Sequence, residues 1–203
     1  MLSGIDVSGN QGGVDFAALA ASGGANYVYA KATEGVTFVD DHFALYHDAC
    51  KKNNIPVGAY HFLRFNTIDN PIAQAKHFLQ TIAGREGELL PMVDVEVTDG
   101  QPIATLTQTL DAFMSEVEQT LGGKRMLLYT FYSYWNSAMQ GSNSFSGHPL
   151  WIAEYNSSAA PSLPGGFNDW VVWQWSSSGT VPGIGTSVDM DRLKTDQLSL
   201  ISR

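Results

Sequence analysis

Short apolar runs rich in β-branched and aromatic residues recur along the whole chain, and each of the first five is followed by a stretch of helical period. The pattern predicts strands over 3–8, 26–32, 56–63, 89–96 and 124–130, and helices over 16–22, 40–53, 71–82 and 103–121, with a shorter one over 132–139. Asn70 before Pro71 supplies a helix cap followed by a first-turn proline, and Gly122-Gly123 stops the longest helix. Beyond about residue 148 the rhythm changes: 150–155, 170–175 and 187–193 read as strands joined by loops rich in Gly, Pro and Ser, with no helix between them. Five βα units and three further strands give eight strands, the number that closes a small barrel. The expected fold is therefore α/β, an irregular TIM-like barrel instead of an open sheet.

Composition narrows this picture. A chain of 203 residues with 44% apolar and only 15% charged residues is globular, and no repeat, low-complexity segment or linker divides it, so one domain over 1–203 is expected. A net charge of −9 argues against nucleic acid and anionic membranes as partners, because no Lys/Arg stripe exists to neutralise phosphate. Cys50 is the single cysteine, which excludes an internal disulfide. The first residues lack the basic and apolar regions of a signal peptide, and no apolar run is long enough to span a bilayer, so a soluble protein without membrane insertion is expected.

The candidate chemistry lies in carboxylates. In Met92-Val93-Asp94-Val95-Glu96 an apolar run ends in two acids separated by one residue. Side chains two apart on a strand share a face, about 6.5–7 Å apart along the backbone. At the C-terminal end of a barrel strand, both would face the mouth where barrel enzymes place their chemistry. Asp6, between Ile5 and Val7 in the first strand, and Asp189, between Val188 and Met190 in the last, are expected to point inward as well. Crowding in a partly dry groove favours keeping one of the two carboxyls protonated, which yields the acid and base partners of glycoside hydrolysis. Converging acids also raise a metal site as a competing idea, but no calcium-loop motif occurs and His42, His47, His61, His77 and His148 show no ligand spacing, so neither metal nor cofactor is expected.

Eight ordered blocks then carry a resemblance that spans nearly the whole chain: Gly4 to Ser8, Tyr29 to Gly35, Gly58 to Phe62, Met92 to Glu96, Leu128 to Thr130, Leu150 to Ala153, Trp173 to Ser176 and Val188 to Asp191. In these the sequence resembles the muramidases (lysozymes) of glycoside hydrolase family 25. The resemblance implies hydrolysis of the β-1,4 bond from N-acetylmuramic acid to N-acetylglucosamine in the bacterial peptidoglycan strand, with lysis of the wall. It implies Glu96 as proton donor, Asp94 as the group that orients or stabilises the substrate's N-acetyl group, and Asp6 and Asp189 as the remaining acids. It makes Lys31, Glu34, Tyr60, Tyr129 and Trp173 groove residues. Aromatic faces suit stacking on sugar rings, and a lysine suits the lactyl or peptide carboxylate of muramic acid. One departure stands out, Asp191 where the family often has Asn; strand alternation places it on the same side as Asp189.

The sequence fits a monomeric enzyme with no separate cell-wall-binding module, of the phage endolysin type, held in the host cytoplasm and released to the wall through a holin; a secreted enzyme whose leader is absent from this sequence is the alternative. Two rival functions remain open at this point. A hydrolase of a chitin-like polymer would also use the Asp-x-Glu pair, and an inactive glycan-binding module would keep the aromatics and lose the acid.

Overall fold

The computed structural model describes residues 1–156 and 158–203. Strands β1 (Ser3–Val7), β2 (Tyr27–Glu34), β3 (Phe38–Val39), β4 (Val57–Phe62), β5 (Met92–Val95), β6 (Leu127–Phe131), β7 (Leu150–Ala153), β8 (Val172–Gly179) and β9 (Val188–Leu193) form a single sheet. Helices α1 (Phe16–Ser22), α2 (Phe43–Lys52), α3 (Pro71–Ile82), α4 (Ile103–Thr120) and α5 (Tyr132–Ser137) follow β1, β3, β4, β5 and β6. The strands β1, β2, β4, β5, β6, β7 and β8 are successively parallel, and β9 closes the ring by running antiparallel between β8 and β1. The expected eight-stranded irregular barrel is thus the observed one. An extra strand, β3, hairpins antiparallel onto the end of β2 outside the ring; two residues are too few to register as a periodic pattern.

Helix ends follow local chemistry. The Asp15 side chain accepts hydrogen bonds from the backbone N–H groups of Ala17 and Ala18 at the start of α1, and Asn70 accepts from those of Ile72 and Ala73 at the start of α3. After α4, Gly122 and Gly123 both adopt positive φ, and the Gly123 N–H returns to the Glu118 carbonyl at 2.7 Å.

The strands have two apolar faces. Outward residues such as Ile5, Val28, Val93, Leu128 and Ile152 join the helices in a large outer core. Inward residues form a second core that fills the barrel, with Tyr27, Tyr29, Tyr129 and Trp151 at its centre. The Trp151 ring stands edge-on to Tyr29 at 4.9 Å and to Tyr129 at 5.9 Å. Gly4 and Gly58 make room for this plug: a Cβ on either would fall 2.2 Å or 2.4 Å from the ring of Tyr27 or Tyr29. The barrel is consequently filled below, and its cleft opens at the C-terminal mouth of its parallel strands. Among the described residues no helix is long and apolar enough to cross a membrane.

Candidate active site

A cleft of about 200 Å³ opens at that mouth, and Asp6, Asp94, Glu96 and Asp189 all line it, together with Lys31, Tyr60, Tyr129 and Gln174. Alternation explains the convergence. In β1 the outward Ile5 and Val7 flank Asp6; in β5 Val93 and Val95 face the helices, which leaves Asp94 and then Glu96 inside. Asp6 and Asp189 are directly opposed across the β1–β9 pair. The Asp189 strand lies at the closure of the ring, so residues far apart in the chain meet over one opening.

The acids differ in burial, and that sets their proton affinities. Burial and the Asp189 charge raise Asp6 to about 8, opposed by the hydrogen bond from Gln174 and by the neighbouring Asp191 carboxyl. Burial raises Asp189 to about 6. Asp94 sits well above the usual carboxylate range, through burial first and then the Glu96 and Asp6 charges, with Lys31 opposing. Glu96 is raised by burial and by Asp189 and Glu34, again against Lys31. The outcome is a mouth whose carboxyls hold their protons more tightly than free acids do, which favours proton donation to a leaving oxygen.

Gln174 organises the floor of this cleft. Its Nε2 donates to Asp6 Oδ2 at 2.8 Å, while its Oε1 accepts from the hydroxyls of Tyr129 at 2.9 Å and Tyr155 at 2.6 Å. The signal for Gln174 was present in Trp173-Gln174-Trp175: in a barrel wrapped by apolar packing the two tryptophans face out and the polar residue between them faces in. Tyr155, half-exposed and edge-on to Phe131 at 6.0 Å, lies just past the end of β7 and beyond the expected inward set, yet it reaches Gln174.

On the opposite rim, Lys31 Nζ pairs with Glu34 Oε2 at 2.7 Å and sits 4.8 Å from the centroid of the Phe62 ring. Arg64 extends the network, reaching Glu34 at 3.4 Å and Asp99 at 2.6 Å. Glu34 therefore holds Lys31 and Arg64 and does not itself line the cleft. Sequence reasoning missed Arg64 and Asp99, which meet only through the loops after β4 and β5.

The expectation for Trp173 needs correction. Its ring is 1% exposed, packs edge-on to Trp170 at 6.4 Å and donates its indole N–H to the Glu154 carbonyl at 2.8 Å. It belongs to the outer core, not to the groove, because its odd position in β8 points away from the barrel axis. Asp191 does point inward, as alternation requires, but lies below Asp189 and is wholly buried. Among the described residues no group of His, Cys, Asp and Glu side chains is arranged to hold a metal ion.

Comparison with known proteins agrees with this geometry. The family model described as glycosyl hydrolases family 25 matches residues 5–184. The chain is 35% identical to the autolytic lysozyme of Clostridium acetobutylicum over 190 residues, covering 94% of this chain and 55% of that protein. It is 30% identical to lysozyme M1 of Streptomyces globisporus, with 99% of this chain and 70% of that one covered. The crystal structure of the bacterial lysozyme from Streptomyces coelicolor superimposes with a TM-score of 0.87 at 27% identity, over 98% of this chain and 94% of that one. The matched family segment ends before β9, so Asp189 lies beyond it while remaining within the structural likeness.

Proposed function

The chain belongs to the glycosyl hydrolases of family 25, and from that premise we propose that it is a muramidase that cleaves the β-1,4 bond between N-acetylmuramic acid and N-acetylglucosamine in peptidoglycan. The observation that carries the reading is the convergence of Asp6, Asp94, Glu96 and Asp189 on one cleft at the barrel mouth. Glu96, just beyond β5 and less buried than Asp94, donates its proton to the leaving glycosidic oxygen. Asp94 accepts the N–H of the 2-acetamido group and turns its oxygen toward the anomeric carbon. That oxygen forms the new bond as the glycosidic bond breaks, and water then opens the cyclic intermediate with Glu96 recovering its proton. Asp189, the more readily ionised of the opposed pair, supplies negative potential beside the cationic sugar, and Asp6 joins it as it ionises.

Tyr60 and Tyr129 line the cleft for contact with the sugars, and Lys31, steadied by Glu34, faces it as the partner of the lactyl or stem-peptide carboxylate. Lys31, together with the lysozyme relatives, supports muramic acid over a chitin-like polymer, and Glu96 in place at the mouth supports an enzyme over an inactive binding module. Digestion of purified peptidoglycan, borohydride reduction and mass analysis of the fragments test the specificity. Reduced muramic acid ends are expected; reduced glucosamine ends would overturn it.

A further inference from the structure

Beneath the cleft lies an acid for which the proposed chemistry has no use. Asp191 is 0% exposed, and neither carboxyl oxygen receives a hydrogen bond among the described residues. Its place is fixed by register: in β9 it sits opposite Gln174 of β8 on one side and Gly4 of β1 on the other, one inward step below Asp189. Asp6 is the inward residue diagonal to it, so the Asp191 carboxyl reaches the underside of the same Asp6 that Gln174 holds at 2.8 Å.

Among the described residues no counter-charge faces Asp191. From β1 it faces Asp6, and from its own strand Asp189; from β2 it faces the phenols of Tyr27 and Tyr29. Asp94 of β5 and Glu96 just beyond its end lie higher, around Asp6. From β7 comes the Trp151 indole, the one neighbour that favours the charged form. The nearby arginine of β9, Arg192, turns outward and lies 4.4 Å from the Trp175 ring centroid, while Lys31 stays at the mouth. A buried carboxylate with neither cation nor adequate donors is strongly disfavoured, whereas a neutral acid there has an acceptor ready in Asp6.

We propose that Asp191 is a positioning residue: it stays a neutral acid throughout the working range, donates its proton in a hydrogen bond to Asp6 from below, and so makes Asp6 the member of the pair that changes charge. The inference rests on the muramidase reading only for its catalytic consequence. Gln174 and Asp191 then grip Asp6 from two directions, and both bonds favour its ionised form against burial and the Asp189 charge.

Two variants separate the possibilities. Asp191→Asn keeps a donor but has no proton to lose; Asp191→Leu removes the donor. A neutral Asp191 that ionises on unfolding makes the parent's folding equilibrium fall by up to tenfold per pH unit above about pH 4 relative to D191N. The stability gap between D191N and the parent, followed by urea denaturation from pH 4 to 8, should therefore widen with pH. The infrared spectrum of the parent minus D191N at pH 7 should show the carbonyl band of a protonated carboxyl. In D191L the Asp6 carboxyl carbon, followed by NMR and assigned with D6N, should titrate at higher pH than in the parent, and kcat should drop about 10-fold or more with its Asp6-dependent limb shifted alike; D191N should restore both toward the parent. A pH-independent stability gap, or no protonated-carboxyl band, overturns the proposal even if D191L fails to fold. Should the parent fail to cleave peptidoglycan, the muramidase reading falls while the infrared and stability measurements still decide the state of Asp191.

Discussion

Replacing Gln174 by Leu tests how the mouth is held together. The amide makes three hydrogen bonds, to Asp6 at 2.8 Å, from Tyr129 at 2.9 Å and from Tyr155 at 2.6 Å, and is 2% exposed. Leucine of similar volume leaves the packing filled but orphans the Tyr129 hydroxyl, which is buried, and one side of Asp6. An orphaned buried group costs about 1–3 kcal/mol. Tyr155 is half-exposed and regains water, so it adds little. The total is about 3–5 kcal/mol. At about 2–4 °C per kcal/mol for a domain of this size, Tm should fall by about 10 °C. Asp6 escapes part of the penalty by holding its proton more tightly, so its ionisation should move above its present value of about 8. Urea denaturation, calorimetry and the pH dependence of cleavage measure these effects. A stability loss under about 1 kcal/mol, with an unchanged pH profile, would refute the view that Gln174 organises the site.

His61 is buried between Thr33, 2.7 Å from its Nδ1, and the Gln74 oxygen, 3.1 Å from its Nε2, and it stacks on Phe113 at 4.7 Å. Burial lowers it to about 3, so its contribution to stability is present above the unfolded value near 6.5 and is lost as pH falls toward about 3. Its ring resonances should not titrate between about pH 5 and 8, and an NMR midpoint near 6.5 would contradict this. Trp173→Phe should cost about 1–2 kcal/mol through the lost bond to the Glu154 carbonyl and some lost packing, yet leave KM for soluble peptidoglycan fragments within about twofold. A rise in KM of about tenfold would return Trp173 to the groove.

The strand and helix pattern was legible because the barrel repeats one physical unit: an apolar outward face under each helix and a capped or glycine-stopped end. The same alternation made Asp6, Asp94, Glu96 and Asp189 readable as inward acids. It failed for Trp173 only where aromatic chemistry was allowed to outweigh facing; by the Ile5-Asp6-Val7 rule, Gln174 was the inward residue. Contacts between loops were not readable at all. Arg64 and Asp99, 35 residues apart, meet because the parallel strands deliver β4 and β5 loops to one rim, and Asp99 is set by a positive φ of 48° that no periodicity announces. The depth of Asp191 likewise needed the β1–β9 register, which depends on ring closure and not on local sequence.

The charge arrangement gives this anionic chain a local answer to its substrate. Docking cannot come from the net charge of −9; it depends on the cleft's shape, on Lys31 at its rim and on carboxyls whose hold on their protons burial strengthens. That distribution separates the role of Glu96, half-buried and within the cleft, from that of Asp94, which is nearly enclosed.

The most direct measurement is the rate at which Glu96→Gln, folded and binding glycan fragments as the parent does, generates new reducing ends from purified peptidoglycan. Loss of the proton donor predicts a fall in kcat of at least about 100-fold with Kd for fragments little changed. A folded variant that releases reducing ends within about tenfold of the parent rate would show that the proton comes from elsewhere.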